Sequence, residues 1–338
     1  MTRLDTFRRP SEGRPPLWLR RALPVVLLAV LCGVLAAPAE ARRAKRPQPV
    51  TTPVPTERAF GVAADHVPWD LSTVDEVAGM TGREVDRVTW YSAWAHQEDF
   101  PAAEVGRIAD RGATPVITWE AWDPAAGTYQ PEYSLDRIAA GRHDRYLTRF
   151  ARQVRSYGRP LVIRLGHEMN GSWYPWAEGV NGNGPGDFVA AWRHVVDLFR
   201  GMRVTNVTWS WSPNIPYDGS TPLPGLFPGD AWVDEVALDG YNWGTTQPWS
   251  SWQSFGEVFG PGVQQLSLLS RRPIHIGETG SAEHGGDKGE WVRGMFAWLE
   301  RHPEVRSVTW FQLNKETDWR INSSDHSLDA FRAGLATY

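Results

Sequence analysis

The sequence contains a single cysteine in 338 residues, which limits how the chain can be stabilised. Cys32 lies in an apolar run over residues 22–37 that follows two arginines, as in a secretory signal peptide. Residues 39–41 (Ala-Glu-Ala) then provide the small-x-small pattern of a cleavage site. Cleavage after Ala41 would leave a mature protein without cysteine, so we expect no disulfide bonds.

The leader predicts a secreted, extracellular protein. Its apolar run is about 16 residues long, short for a membrane span, so we expect no stable membrane association after cleavage. An uncleaved N-terminal anchor is the alternative, and two arginine pairs leave the Sec and twin-arginine routes both open. Residues 42–56 are basic and then rich in Pro and Thr, which predicts a solvated linker before a single folded domain over residues 57–338.

The chain also lacks an excess of positive charge. Its formal charge is −4, and residues 1–41 carry six arginines against three acids, so the remainder is more acidic still. We therefore expect no nucleic-acid partner, whereas a neutral polysaccharide or oligosaccharide is compatible. No group of His, Cys and Asp has metal-ligand spacing, so we predict neither a catalytic metal nor a cofactor. We expect a monomer.

Tryptophan, by contrast, is abundant, with 19 residues. Trp is a costly core residue because its N–H needs a hydrogen-bond partner. Most of these rings are expected in the core, but several fall at predicted strand ends and in loops. Flat rings at such places suit the apolar faces of sugars.

Eight short apolar runs alternate with amphipathic stretches over about 280 residues, which predicts a (β/α)8 barrel. The predicted strands are 60–64, 87–91, 114–119, 160–165, 206–211, 235–241, 273–277 and 307–311. The predicted helices include 102–111, 142–157, 187–200, 252–269, 288–301 and 325–335, with only a short helix in 213–234. A doubly wound open sheet is the competing fold, but no Gly-rich nucleotide loop follows the first strand.

Two glutamates follow strands of this barrel at the end where chemistry is expected. Glu168 lies after the fourth strand, in the aromatic-rich segment 166–176, and Glu278 lies after the seventh, in segment 276–280. Burial among rings raises the pKa of a carboxyl group, as a general acid near neutral pH requires. Either glutamate alone could be an ordinary loop acid, but a pair fits glycoside hydrolysis, which needs two carboxyl groups flanking the scissile bond.

The two segments resemble those of a known family. Gly-His-Glu-Met-Asn-Gly-Ser-Trp-Tyr-Pro-Trp at 166–176 resembles the acid/base segment of glycoside hydrolase family 26, and Ile-Gly-Glu-Thr-Gly at 276–280 resembles its nucleophile segment. The resemblance covers roughly residues 59–335. It implies a retaining (β/α)8 enzyme in which Glu168 is the general acid/base and Glu278 the nucleophile.

The resemblance also implies roles for further residues. His167 would contact the sugar just before the cleaved bond, Tyr241 would hydrogen-bond the nucleophile, and Trp310 would form the floor under that sugar. Trp173 would stack on a sugar across the cleavage point. Asn170 is a candidate that supports the loop or the hydrogen bonding of the site.

Two more residues are candidates for substrate binding from their positions alone. Glu120 lies between two tryptophans after the third strand, where it would bind sugar hydroxyls or be a loop acid. Trp243 follows the sixth strand and would be a sugar platform or a core ring. The segment 318–320 (Asp-Trp-Arg) reads as a salt-bridged loop without a chemical role.

Substrate is less constrained than mechanism. Within the family resembled, an endo-β-1,4-mannanase is the first expectation, with a β-1,3-1,4-glucanase or a β-xylanase as alternatives. A function of another class, a non-catalytic glycan-binding barrel, stays open, although such a module need not keep both glutamates.

Overall fold

Eight parallel strands close into a barrel in the order of the sequence. The computed structural model describes residues 58–338. The strands are β1 Ala59–Ala64, β2 Arg87–Ala93, β3 Thr114–Glu120, β4 Leu161–Leu165, β5 Val207–Trp211, β6 Glu235–Asn242, β7 Ile274–Ser281 and β8 Val305–Gln312. Strand β1 pairs with both β2 and β8, which completes the ring. The predicted (β/α)8 fold is therefore confirmed, and the open sheet is excluded.

Helices follow the strands. They are α1 Ser72–Thr81, α2 Ala102–Asp110, α3 Leu135–Ala139, α4 Asp144–Tyr157, α5 Asp187–Gly201, α6 Leu223–Leu226, α7 Phe255–Leu269, α8 Lys288–Arg301 and α9 Asp325–Leu335. Two short 3₁₀ turns, Pro124–Ala126 and Pro131–Tyr133, precede α3. The short helix expected after β5 is α6, whereas α1 and α3 were not among the predicted helices.

The helices form where sequence signals and apolar stripes coincide. Helix α4 buries Leu147, Phe150, Ala151 and Val154, which recur at the three- and four-residue spacing of one helix face. Helix α7 begins with a capping box, in which Ser254 and Glu257 each accept a hydrogen bond from the other's backbone N–H. Such faces cover the outside of the barrel and make one continuous core.

The barrel interior contains a polar layer at the end where the strands begin. Arg87, the first residue of β2, donates two hydrogen bonds to Glu235, the first residue of β6, over 2.6 and 3.2 Å. Beside them, His275 Nδ1 lies 2.7 Å from the hydroxyl of Ser307. These buried charges are paired, as burial requires. The catalytic candidates lie toward the opposite end of the barrel.

The leader, its cleavage site and the linker lie outside the described residues. Within residues 58–338, no helix is both long and apolar enough to span a bilayer. Among the same residues, no three His, Cys, Asp or Glu side chains are grouped so that they could hold a metal ion.

Candidate active site

Glu168 lies at the mouth of the barrel, two residues beyond Gly166, the glycine that follows β4. Its φ angle is 53°, in the left-handed region that few non-glycine residues adopt. Its backbone N–H donates to the carbonyl of Ser212 after β5, over 2.7 Å, and this bond fixes the turn. The side chain is buried, with a relative exposure of 8%. A strained backbone held in this way is common at functional sites.

Two hydrogen bonds orient the Glu168 carboxyl group. Trp173 Nε1 donates to Oε2 over 2.8 Å, and Asn214 Nδ2 donates to Oε1 over the same distance. Asn170 holds Asn214 in turn, because its side chain accepts from the Asn214 N–H and donates to the Asn214 carbonyl. Asn170 therefore supports the loop that carries the acid's partner, which is one of the two roles expected for it.

The pKa of Glu168 is raised to about 7. Burial is the main cause and the negative charge of Glu278 adds to it, while the bonds from Asn214 and Trp173 act in the opposite direction. The carboxyl group is therefore protonated over the acidic and near-neutral range, in which a general acid must hold its proton.

Glu278, within β7, has the opposite environment. Arg164 NH1 donates to its Oε1 over 2.9 Å, and the Tyr241 hydroxyl donates to its Oε2 over 2.7 Å. Burial alone would raise the pKa of Glu278, but the charge of Arg164 and these two hydrogen bonds outweigh burial and lower it. Glu278 is therefore ionised where Glu168 is protonated.

Arg164 connects Glu278 to a second buried acid. Its NH2 lies 2.5 Å from Asp239 Oδ2 and donates to the hydroxyl of Ser212 over 3.1 Å. The register between β6 and β7 shifts after Leu238, so that Gly277 is an extra residue in β7 and Asp239 pairs with Glu278. Residue 277 must be glycine here, since a Cβ at that position would lie 2.5 Å from Asp239 Oδ1.

Polar atoms without protein partners converge beside the two glutamates. His167 Nδ1 and the Tyr91 hydroxyl have no hydrogen-bond partner among the described residues, and their rings lie 5.9 Å apart. Glu120 Oε1 lies 3.9 Å from His167 Nδ1, beyond hydrogen-bond distance. Burial lowers the pKa of His167 to about 3 and raises that of Glu120 to about 7. A neutral imidazole, a phenol and a carboxyl group are thus free to bind hydroxyl groups.

Comparison with known proteins decides the family. A model described as Glycosyl hydrolase family 26 matches residues 82–262. Endoglucanase H of Acetivibrio thermocellus is 38% identical over 269 residues, which is 78% of this chain and 29% of that protein. The chain belongs to glycoside hydrolase family 26.

Other relatives in the comparison carry a different name. "Mannan endo-1,4-beta-mannosidase A and B" of Caldalkalibacillus mannanilyticus is 35% identical over 202 residues, 58% of this chain and 34% of that protein. The chain spans about a third of the length of this relative and less than a third of Endoglucanase H. Activity and substrate therefore do not transfer with family membership.

Solved structures of family 26 proteins share the fold. An endo-beta-1,4-mannanase double mutant from Cellulomonas fimi is 20% identical with a TM-score of 0.62, over 83% of this chain and 71% of that one. A β-mannanase from Bacteroides ovatus is 16% identical with a TM-score of 0.57, over 84% of this chain and 89% of that one. At such identities the likeness shows the barrel alone.

Most residues expected in the family 26 site do meet at the barrel mouth. Glu168, His167 and Trp173 surround one side, and Glu278 with Tyr241 forms the other. Trp243 is half-buried, with its ring 6.2 Å from that of Tyr241, so it stands at the edge of the site. Glu120 lies next to His167, as described above.

Trp310 is not at the mouth, so the prediction that it forms the floor of the site is wrong. Its ring is fully buried against Phe331 of α9, 4.6 Å away, and against Trp291 of α8. The next residue, Phe311, faces inward instead, with its ring 5.5 Å from Tyr241. Strand β8 is buried on both faces along most of its length, and the sequence therefore did not reveal which of the two adjacent rings points inward.

The loop after β8 contributes more than the sequence indicated. Asp318 and Arg320 form the expected salt bridge, at 2.7 Å. Trp319, between them, is buried, and its ring packs 5.0 Å from Tyr241 and 4.9 Å from Trp243. It supports the tyrosine that donates to Glu278.

Arg164, Asp239, Asn214 and Tyr91 were not selected as candidates from the sequence. Arg164 and Asp239 had a usable signal, since Arg164 is the one charge in β4, Asp239 lies in the interior of β6, and the two charges are opposite. A buried charge needs a partner, which points to this pairing. Asn214 follows β5 and Tyr91 lies near the end of β2, but nothing in their neighbours distinguishes them from other residues at strand ends.

Proposed function

We propose that this family 26 chain is a retaining, endo-acting glycoside hydrolase that cleaves a β-linked polysaccharide. The observation that carries the proposal is the pair of buried carboxyl groups at the barrel mouth, whose pKa values are shifted in opposite directions. Glycosidases need one protonated and one ionised carboxyl group at neutral pH.

In the first step, Glu278 attacks the anomeric carbon and forms a covalent glycosyl–enzyme. Arg164 and Tyr241 hold its carboxylate ionised and in a fixed orientation. Glu168 gives its proton to the leaving glycosidic oxygen, which departs with the rest of the chain as an alcohol. Trp173 and Asn214 fix the direction in which that proton is presented.

In the second step, Glu168 takes a proton from water, and the resulting hydroxyl displaces Glu278 from the anomeric carbon. The charge of Glu278 is one cause of the raised pKa of Glu168. That charge is absent while Glu278 is esterified, so the pKa of Glu168 falls at the stage when it must be a base.

The free polar atoms of Tyr91, His167 and Glu120 provide hydrogen bonds for hydroxyl groups of the sugar beside Glu278. His167 is buried and neutral, so it can donate or accept without adding a positive charge near the reacting carbon. A sugar in this place would satisfy His167 Nδ1 and the Tyr91 hydroxyl, which are otherwise buried without partners among the described residues.

Mannan with β-1,4 links is the first candidate substrate, because three relatives in the comparison are named mannan endo-1,4-beta-mannosidase, and two of them are 34% and 35% identical. A β-linked glucan is the second candidate. Endoglucanase H supports it with a match over 78% of this chain, against 35% and 58% for those two mannosidases.

A reducing-sugar assay of the purified protein on mannan, mixed-linkage β-glucan and β-xylan tests the function and ranks the substrates. We expect release of sugar from mannan or glucan. Failure on all three, together with retained binding to one of them, would leave a glycan-binding barrel and overturn the proposal.

The nucleophile has its own test. Glu278→Ala should abolish turnover of an activated aryl glycoside, and azide should restore it with a product of inverted configuration. Absence of rescue would remove Glu278 from this role.

We also propose that the protein is secreted, with cleavage after Ala41, since the leader has the pattern of a signal peptide. N-terminal sequencing of protein recovered from the culture medium tests this. A chain that stays attached to the membrane fraction would instead indicate an uncleaved anchor.

A further inference from the structure

Several large aromatic rings are exposed on the described part of the chain. Besides Trp173, they are Trp69, Tyr129, Tyr217 and Trp249, with exposed fractions of 53%, 77%, 41% and 71%. Tyr217 and Trp249 differ from the other two, since ring contacts connect each of them to one of the catalytic carboxyl groups. For Trp69 and Tyr129, no ring contact to the site occurs within residues 58–338.

Tyr217 continues the site on the side of Glu168. Its ring lies nearly parallel to that of Trp173, with centroids 5.9 Å apart and planes inclined by 24°. Trp173 in turn donates its Nε1 hydrogen to Glu168. A turn fixes Tyr217, because its backbone N–H donates to the Ser220 hydroxyl, which itself donates to the Tyr217 carbonyl. The rings of Trp173 and Tyr217 therefore extend from Glu168 toward the protein surface.

Trp249 continues the site on the side of Glu278. Its ring is 5.4 Å from that of Trp243, which lies 6.2 Å from Tyr241, the residue that donates to Glu278. The series therefore runs from the nucleophile to the surface through contacting rings, and it ends in the strongly exposed indole.

The loop that carries Trp249 is held by hydrogen bonds rather than by burial of the ring. The Ser250 hydroxyl lies 2.8 Å from the carbonyl oxygen of Gly244 and 3.1 Å from that of Gln247, and it shares its one hydrogen between them. The buried side chain of Asn242 accepts from the N–H groups of Gly244 and Gln253, at the two ends of the loop. An exposed indole on such a loop adds little to folding, but it is positioned in advance for a ligand, which reduces the entropy lost on binding.

We propose that Tyr217 and Trp249 are sugar-binding platforms, one beyond each catalytic carboxyl group, that hold distant pyranose units of the polysaccharide being cleaved. The inference rests on the proposed function and extends it to an open site several sugars long. A pyranose ring has an apolar C–H face that can lie on an exposed ring, and the continuity of both ring series with the catalytic pair indicates the same polysaccharide chain as the occupant.

The test compares Trp249→Ala and Tyr217→Ala with Trp69→Ala and Tyr129→Ala, which remove exposed rings outside the two series. The substrates are oligosaccharides of two to six units from whichever of mannan and mixed-linkage β-glucan the unchanged enzyme cleaves. We expect each platform variant to raise KM for the longest oligosaccharides about fivefold or more, in line with the value of an aromatic contact. The shortest cleaved substrate should be unaffected, as should all substrates with the two controls. Tyr217→Phe should restore binding, since it keeps the ring.

A binding measurement tests the role of Tyr217 and Trp249 even if the protein shows no hydrolysis. The Glu278→Ala protein is titrated with a hexasaccharide of each type, with and without the platform substitutions. Loss of hydrolysis in the unchanged enzyme would overturn the proposed function alone, whereas weaker hexasaccharide binding in both platform variants would still support the platforms. Equal effects on all lengths, equal effects in the controls or no effect at all would overturn the inference. So would a change in sizing-column mass on removing Trp249, because the ring would then serve contacts between copies of the chain.

Discussion

Arg164 donates a hydrogen bond of 2.9 Å to Glu278 inside the barrel, and both side chains are buried. The pair joins β4 to β7. Glu168 follows the first of these strands, and Glu278 lies in the second. The ionised state of Glu278 therefore depends on a residue of another strand, and the barrel must be closed before its nucleophile is ready.

Replacing Arg164 with Met should leave Glu278 and Asp239 as unpaired buried acids. We expect a loss of about 3–5 kcal/mol in the free energy of unfolding. We expect kcat/KM to fall at least about 100-fold in any protein that remains folded. The acidic limb of the pH–rate profile should move to higher pH, since the pKa of Glu278 rises without its cation. Arg159→Met is the control, because Arg159 pairs with Asp110 at an exposed position, where ion pairs contribute about 1 kcal/mol or less.

Glu168→Gln should remove the alkaline limb of the pH–rate profile. In the unchanged enzyme, kcat/KM should fall as pH rises through about 7, where burial and the charge of Glu278 place the pKa of Glu168. The variant should lose about 10²–10⁴-fold in activity on polysaccharide. Formation of the glycosyl–enzyme from a dinitrophenyl glycoside should persist, because that leaving group needs no proton. Glu178→Gln is the control, because Glu178 lies in the same loop. It should leave the pH–rate profile and the activity on polysaccharide unchanged. A persistent alkaline limb in Glu168→Gln would assign it to another group.

Asn214→Ala should raise the pKa of Glu168 further. The bond from Asn214 Nδ2 favours the ionised form of Glu168, so its loss favours the protonated form. The alkaline limb should move to higher pH while kcat falls, since the second step needs Glu168 as a base. Asn170→Ala should shift the limb in the same direction by a smaller amount, because Asn170 acts through the backbone of Asn214. An unchanged pH profile with a raised KM would instead indicate that Asn170 contacts sugar.

The strands and the two glutamates were accessible to sequence reasoning because their signals are local. Buried parallel strands are short runs of β-branched and aromatic residues between turns, and all eight were found near their observed bounds. Glu168 follows such a run and Glu278 lies in the second half of another, each one or two residues after a glycine.

The remaining parts of the site depend on contacts distant in sequence. The contact from Arg164 to Glu278 spans 114 positions, and that from Asn214 to Glu168 spans 46. Trp310 shows a second limit, since adjacent aromatic residues in β8 point to opposite sides of the strand and only packing against α9 decides between them. Trp319 contacts Tyr241 because the loop after β8 folds back over the site. A loop has no periodic sequence pattern from which this contact could be predicted.

Lys288 should prove essential to the loop that carries Trp319. Its buried ammonium group lies 2.7–3.3 Å from the carbonyl oxygens of Asp318, Trp319 and Arg320 and from the Ser323 hydroxyl, and it shares its three hydrogens among them. Lys288→Met would leave these carbonyls without their donor, so we expect a loss of about 3 kcal/mol or more in the free energy of unfolding, measured by denaturant titration. Lys315→Met is the control, because Lys315 is exposed and paired only with Glu316. Equal stability of the two variants would show that water replaces the ammonium group.

His275 should make the barrel sensitive to acid. Burial lowers its pKa from 6.5 in the unfolded chain to about 4 in the folded protein, although the charge of Glu235 opposes the change. Between these values the unfolded chain binds the additional proton. The contribution of His275 is therefore complete above pH 6.5 and is lost as pH falls toward 4, by up to about 3 kcal/mol.

Glu235 affects stability at lower pH than His275 does. Burial would raise its pKa, but the charge of Arg87 outweighs burial and lowers the pKa from 4.5 to about 2. Its contribution is therefore present above pH 4.5 and is lost below that pH. His275→Asn should lower the free energy of unfolding at pH 7, because the substitution removes the hydrogen bond to Ser307. It should flatten the pH dependence between 6.5 and 4 while leaving the steeper loss below 4.5 in place. Denaturant titrations of both proteins at intervals across this range measure the difference. Parallel curves between pH 6.5 and 4 would show that His275 is not the group that titrates there.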